Sequence, residues 1–235
     1  MCSSDLMKLA YCSGKLGDPR LALEQIDNAI AIFGKALRPN HPNLIRASNY
    51  KAELLAELGK RDEARRLLGS FSGIEAPGLD TQRSLLAGQL ILAGIEGQDG
   101  QWSKSQVLAE RVLADSGIRG DRRLESSARW ARACALAMQQ QTAAAEQERA
   151  RALEIEKSGG QQTPFPGVYA LAKSYACGGE PVRALATLRE AAAKGFEDPS
   201  VIHDPAFAAV RQLPDFAAVA AALGPRPHPS AAAAH

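Results

Sequence analysis

The chain reads as an all-α protein: an α-solenoid of about five antiparallel helical hairpins, closed by C-terminal capping helices. Three observations predict this. Alanine, the best helix former, supplies 44 of the 235 residues. Aromatic residues make up only 5%, and β-branched residues are sparse, so strands have little to build from. The third observation is a recurring pattern: an apolar helix, a short turn often with glycine, then a second helix with a small residue soon after its start. The aligned turn positions are Gly17, Gly59, Gly100, Gln140 and Gly179, separated by 42, 41, 40 and 39 residues by subtraction. A near-constant period of this length is the mark of stacked helical hairpins.

Composition excludes several classes. A hydrophobic share of 46% is too high for a disordered chain. No apolar run approaches the roughly 18 residues of a membrane-spanning helix. A net charge of +2 gives no electrostatic reason to expect nucleic acid or an acidic membrane surface. The expected partner is therefore a protein or peptide, with a second copy of the chain as a further candidate.

The elements follow in order. Met1 to Leu6, MCSSDL, is similar to a translated sequencing-adapter end (GTG TGC TCT TCC GAT CT, with GTG as start codon). We expect residues 1–6 to be non-native and the chain to be the C-terminal part of a longer protein. Hairpins are predicted at about 7–36, 43–72, 80–116, 121–157 and 165–195, making an array over 7–196. Glycine at the turn ends the first helix because it accepts the left-handed conformation, with Gln140 in its place in the fourth hairpin. Asp18, Asp62 and Glu180 place negative charge at the start of the second helix, favourable to its dipole. Pro19 and Pro181 suit a first turn. Ala22, Ala64, Ser105, Ala145 and Ala184 stand five residues after the turn position. Ala29, Phe71, Val112, Ala152 and Ala191 follow seven residues later, two helical turns on and so on the same face. Small side chains there let the two helices approach closely.

The pattern of small residue, Gly turn, Ala, then Leu or aromatic, then Ala resembles the tetratricopeptide repeat (TPR). The fifth hairpin shows it best, with Tyr169, Ala172, Tyr175, Gly179, Ala184, Leu188 and Ala191. Arg38 to Asn49, RPNHPNLIRASN, resembles the linker of kinesin-light-chain repeats. The resemblance covers roughly Leu6 to Ala193 and implies a protein-interaction scaffold. Two departures stand out. In the fourth hairpin a strict register would bury Arg129 and Arg132. A one-residue slide buries Trp130, Ala133 and Ala137 instead, which avoids burying an unpaired Arg. In the third, Gly88, Gly94 and Gly97 predict an irregular or weak first helix.

Residues 197–224 read as a cap, with Pro205-Ala-Phe207 and Pro214-Asp-Phe216 each starting an amphipathic helix. The run KGFEDPSVIHDPAFAAVRQLPDF is similar to the closing helices of bacterial multidomain regulators carrying a kinase, cyclase or DNA-binding domain. That resemblance implies a C-terminal module of a larger regulator, either recruiting substrates for or dimerising a Ser/Thr kinase-like enzyme, or serving as the effector module of a DNA-binding transcription regulator. Residues 225–235, rich in Pro and Ala, read as a disordered tail.

We find no enzyme signature: no phosphate-binding GxxxxGK[ST], no HExxH, no GxSxG, no kinase motif, and no cofactor or metal spacing. The segment itself reads as non-catalytic. His41, followed by Pro42, suits a capping role, and Asp204 before Pro205 suits a helix cap. The acid pairs Glu24 and Asp27, Glu53 and Glu57, and Glu146 and Glu148 are assigned to solvated faces. Cys12 and Cys134 sit in apolar helical contexts and read as small hydrophobes, and the absence of a disulfide or metal spacing among Cys2, Cys12, Cys134 and Cys177 suits a reducing cytoplasm. Arg119, Arg122, Arg123, Arg129 and Arg132 form a basic cluster interleaved with acids.

In a stack of hairpins the first helices line the concave wall. The predicted partner-facing residues are Asn49, Tyr50 and Glu53, then Leu90 and Ile91, then Arg129, Trp130 and Cys134, then Tyr169 and Lys173. Aromatics and an Arg at a groove anchor peptides. The competing reading is that the aromatics fill gaps between hairpins.

Overall fold

The computed structural model describes residues 3–15, 17–158, 165–197, 201 and 204–224. They form helices α1 (Ser3–Lys15), α2 (Pro19–Ala36), α3 (Pro42–Glu57), α4 (Arg61–Gly69), α5 (Leu79–Gln98), α6 (Trp102–Ala114), α7 (Arg122–Met138), α8 (Thr142–Ser158), α9 (Phe165–Cys177), α10 (Pro181–Ala193) and α11 (Phe216–Leu223). Short 3₁₀ turns occur at Ser116–Ile118, Pro205–Phe207 and Val210–Gln212, and no strand occurs among the described residues. Helices pack in consecutive pairs, α1 on α2 through α9 on α10.

The turn inside each pair is one device used repeatedly. After α3, Gly59 N–H donates to the Ala56 carbonyl at 3.0 Å and Lys60 N–H to the Leu55 carbonyl at 2.8 Å. This crossed pair satisfies carbonyls that the helix end would otherwise leave open. It requires a left-handed residue at the turn, and Gly59 has φ +78°. The same bonds recur after α5 (Gln101 to Glu96, 2.8 Å), after α7 (Gln141 to Leu136, 2.9 Å) and after α9 (Glu180 to Tyr175, 2.9 Å). In the fourth hairpin Gln140 takes the same conformation, with φ 62°. Two residues past the turn position the second helix starts, and in α2 the Asp18 carboxylate accepts the Leu21 N–H at 3.0 Å. His41 caps α3 through Nδ1, which accepts the Asn43 N–H at 3.1 Å.

The small residues lie at helix contacts. Ala22, Ala64, Ala145 and Ala184 are fully buried and Ser105 nearly so. Two turns later Ala29, Val112, Ala152 and Ala191 are fully buried as well. Phe71 departs from the series: α4 stops at Gly69, so Phe71 lies beyond the helix and is only partly buried. The helix ends within the run Gly69, Ser70, Phe71, Ser72, Gly73, where Gly73 turns left-handed at φ +79°.

The expected irregularity of the third hairpin's first helix is overturned. Helix α5 runs unbroken for 20 residues. Two of its three glycines, Gly88 and Gly97, are close-approach points rather than breaks, while Gly94 has open space beside it. A Cβ at Gly88 would stand 2.8 Å from the Asn49 Oδ1, and one at Gly97 would stand 2.8 Å from the Trp102 ring. At Gly88 and Gly97 the propensity cost of about 1 kcal/mol per glycine is offset by contacts that a side chain would block.

First helices of successive hairpins also touch: α3 meets α5, α5 meets α7, and α7 meets α9. No successive second helices pack to a comparable extent among the described residues. A stack whose first helices lie closer together than its second helices curves toward the first helices, which form its inner layer.

In α7 the slide holds for Trp130 and Ala133, which are buried, while Ala137 is partly so. Arg129 and Arg132 are also drawn inward, onto Glu148 of α8. Arg129 donates to Glu148 Oε2 at 3.0 Å and Arg132 to Oε1 at 3.1 Å. Glu148 is only 3% exposed, which corrects its assignment to a solvated face. Glu148 pairs with both arginines, Glu125 pairs again with Arg129 and Glu110 with Arg132, so their burial is not the cost that an unpaired charge would carry.

The cap differs from two α-helices. Its first Pro-x-Phe segment forms the two 3₁₀ turns, and only the second forms an α-helix, α11. Val201, Phe207, Val210, Phe216, Val219 and Leu223 close over Ala172, Tyr175, Leu185, Leu188 and Ala192 of the last hairpin. Burying side chains of this size gives about 1.5–3 kcal/mol each, which is how the cap seals an apolar end face. His203 and residues 225–235 lie outside the described residues.

Candidate protein-binding face

The inner layer is built by α3, α5, α7 and α9, and the candidate residues fall on it unevenly. Asn49 is buried. Its amide donates to the Ser84 carbonyl at 2.8 Å, in the hollow left by Gly88, so it joins α3 to α5. Tyr50 donates its hydroxyl to the Ala10 carbonyl at 3.1 Å and stands tilted against Tyr11, with centroids 6.0 Å apart. Burial, with Glu57 and Glu53 adding, pushes the Tyr50 phenol up to about 12. Glu53 itself is exposed. Leu90 and Ile91 are partly buried and pack on separate clusters, Leu90 beside Leu86 and Val112, Ile91 beside Leu55 and Leu68.

Trp130 turns away from the inner face. Its indole N–H donates to Glu156 Oε1 of α8 at 2.8 Å, and the ring fills the joint within its own hairpin. Arg129 likewise faces α8, with a second bond to Glu125 at 2.8 Å. Arg132 adds a bond to Glu110 of α6 at 3.1 Å. Two members of the basic cluster are thus committed to carboxylates across α6, α7 and α8.

Tyr169 and Lys173, one turn apart on α9, converge on Asp204 of the cap. The Tyr169 hydroxyl donates to Asp204 Oδ2 at 2.6 Å and the Lys173 ammonium at 2.9 Å. Asp204 Oδ1 accepts the Ala206 N–H at 2.9 Å, so the residue caps the 3₁₀ turn and ties the cap to the inner layer at once. Burial alone would raise its carboxyl. The Lys173 charge, the Tyr169 hydroxyl and the Ala206 N–H outweigh burial and hold it below the ordinary carboxylate value.

Two features escaped the sequence. Arg149 on α8 is 1% exposed. It donates to Ser174 Oγ and to the Ser174 carbonyl at 3.0 and 2.9 Å, and to Glu146 and Glu180 at 3.1 and 2.8 Å. It also lies 4.3 Å over the Tyr175 ring. This locks α8 to α9. The second is a pair of neighbouring thiols, Cys134 of α7 and Cys177 of α9, each of which acts on the other's acidity. Cys134 and Cys177 are partly buried and Cys12 is exposed. A Cys134–Cys177 pairing leaves no spacing signal, because the two residues belong to different hairpins.

Other surfaces offer less. A cavity of about 480 Å³ at the start of α4 is lined by Gly59, Lys60, Arg61, Glu63, Arg65 and Asp99, among others. Its charges are spent on one another, for Arg65 and Arg61 both pair with Asp99. Among the described residues no cluster of His, Cys, Asp or Glu could hold a metal ion, and no helix is long and apolar enough to cross a membrane.

No family model matches the chain, and no curated protein matches it. Solved structures do. A repeat protein from Podosopora anserina, described as kinesin light chain nearly identical TPR-like repeats, is similar over 81% of this chain and 93% of its own length, with 21% identity and a TM-score of 0.52. A variant of that protein, substituted at one position, gives a TM-score of 0.53 at the same identity, over 92% of its length. The fold is therefore that of TPR-like helical repeats.

Proposed function

We propose that this chain is a protein-interaction scaffold that holds a peptide or a partner domain against the inner layer formed by α3, α5, α7 and α9. The observation that carries this is the continuous run of first helices in mutual contact, on a TPR-like solenoid whose terminal face is sealed. Along that run Glu53 and Lys173 are exposed, with Leu90 and Ile91 partly accessible between them. An exposed carboxylate beside apolar side chains suits an extended peptide with apolar anchors and a basic end, since the Lys173 charge is held by Asp204.

Trp130 and Asn49 support the wall rather than touch a ligand, so the test uses exposed positions. Peptides are selected from a random-sequence display library on the full chain, and hydrogen exchange maps the bound peptide. Protection on α3, α5, α7 and α9, weakened by Glu53→Lys and by Leu90→Asp with helicity retained, is the expected result. Protection confined to α2, α4, α6 and α8, or no peptide enriched above background, overturns the reading.

We further propose that the scaffold serves as the C-terminal module of a larger bacterial regulator and works in the cytoplasm. The run from Lys194 to Phe216 supports this by its likeness to the closing segments of such proteins. The unbridged cysteines suit a reducing compartment. Sequencing the genomic locus upstream of Met7 tests it: an in-frame kinase or DNA-binding domain is expected, and a stop codon followed by a native start excludes it.

A further inference from the structure

We propose that the side of α1 carrying Leu9 and Cys12 is the docking face for the second helix of a further TPR-like hairpin on the N-terminal side of the array. The inference rests on the reading of this chain as part of a larger protein, and it names the immediate neighbour. Leu9 stands eight residues before the turn position Gly17, and Cys12 five before it. The equivalents of Leu9 are Lys51, Leu92, Arg132 and Leu171, and those of Cys12 are Leu54, Ile95, Ala135 and Ser174. The four equivalents of Cys12 are each at most 3% exposed. Cys12 itself is exposed, and Leu9 is 42% exposed.

In each later hairpin these positions meet one element, the second helix of the hairpin before. It reaches them through residues nine or ten past its own turn position. From α2 to α3, Asp27 pairs with Lys51 at 2.6 Å, and Ile26 shares a core cluster with Leu54. From α4 to α5, Leu68 clusters with Ile95 and Leu92. From α6 to α7, Glu110 holds Arg132 at 3.1 Å. From α8 to α9, Arg149 donates to Ser174 Oγ at 3.0 Å. The cap copies the arrangement at the other end of the array. Leu188, nine past Gly179, is fully buried beneath it, and Arg189, ten past, pairs with Asp215 at 2.8 Å.

The face on α1 thus continues an interface that the array repeats, and its chemistry describes the occupant. Leu9 and Cys12 match the α4–α5 joint, where Leu92 and Ile95 take Ala64, Leu67 and Leu68 without a charge between them. The occupant is an amphipathic helix with a small residue five past its turn, a Leu-sized residue nine past it and no charge at ten. A charge at ten would be stranded against Leu9. A second copy of this chain has no such helix to offer. Its α2, α4, α6 and α8 have spent that face on the following hairpin, and its α10 on the cap.

The test compares this chain with one in which Met7 onward is preceded by the native upstream reading frame. Cys12 is alkylated with iodoacetamide and followed by peptide mass spectrometry, alongside hydrogen exchange on α1. The upstream frame is expected to encode a helical hairpin ending a few residues before α1. Cys12 then reacts about tenfold more slowly in the extended chain, and the α1 amides exchange more slowly. Leu9→Asp leaves the helicity and melting temperature of the shorter chain nearly unchanged, and restores fast Cys12 alkylation in the extended one. Equal alkylation rates in the two chains overturn the proposal, as does a dimer of the shorter chain in light scattering that Leu9→Asp abolishes. A kinase or DNA-binding domain joined without a hairpin overturns this inference and leaves the larger-protein reading standing, whereas a stop codon directly upstream overturns both.

Discussion

Gln140 offers a direct measure of how much the turn geometry matters. It is the one described non-glycine residue with positive φ, at 62°, where the other hairpins place glycine at φ between 73° and 84°. An L side chain in that region costs roughly 1–2 kcal/mol. Glycine brings back some unfolded-state freedom, about 0.4–1 kcal/mol. Gln140 is exposed, and the two turn hydrogen bonds come from backbone N–H groups of Gln140 and Gln141, so truncation leaves them intact. Gln140→Gly should therefore stabilise the chain by about 0.5–1 kcal/mol, or about 2–4 °C in Tm per kcal/mol for a chain of this size. Urea denaturation followed by far-UV circular dichroism reads the change, with an unchanged m-value required. The reciprocal variant Gly59→Gln should lose about 1–2 kcal/mol. A neutral or destabilising Gln140→Gly at constant m would refute the argument that the turn is strained by its side chain.

Further outcomes follow from the packing. Glu148→Ala should destabilise by about 2–3 kcal/mol in the same titration, because it strips charge-assisted bonds from Arg129 and Arg132; Glu148→Gln should cost less. Gly88→Ala should cost about 1–3 kcal/mol by driving a Cβ into Asn49, and adding Asn49→Ala should leave the double variant less destabilised than the two single losses summed. Asp204 has a depressed folded-state carboxyl, so its contribution is present above its unfolded value near 3.8 and is lost as pH falls through the lower folded value. Asp204→Asn should therefore be less stable at neutral pH and show a shallower loss of stability below pH 3.8, measured by thermal melts across pH.

What the sequence disclosed was local, and what it concealed depended on distant partners. The turn residues, the small contact positions and the caps at Asp18 and His41 act within a few residues of themselves, so their spacing announces them. The slide in α7 was readable because exposing Trp130 or burying an unpaired Arg would each cost energy. Gly88 and Gly97 misled, because their role depends on Asn49 and Trp102 occupying the space they leave. Glu148 looked solvated for the same reason: its arginines belong to α7, a different helix. The candidate wall was read as one face, yet Trp130 and Arg129 lie where α7 meets α8, a rotation that spacing alone leaves open. Cys177 and Asp204 gain their neighbours only when the fifth hairpin and the cap fold onto α7 and α9.

The three-residue connection inside each hairpin also governs where the chain can change length. Residues 16–18, 58–60, 99–101, 139–141 and 178–180 join the paired helices, and one added residue there would rotate the second helix and break the crossed hydrogen bonds. The segments between hairpins obey no such limit, spanning 37–41, 70–78 and 115–121. Drift in the period from 42 to 39 is absorbed partly there and partly in helix length. Insertions, affinity tags or whole extra hairpins are thus accommodated between repeats and rejected within them, which makes the hairpin the unit by which such an array lengthens or shortens.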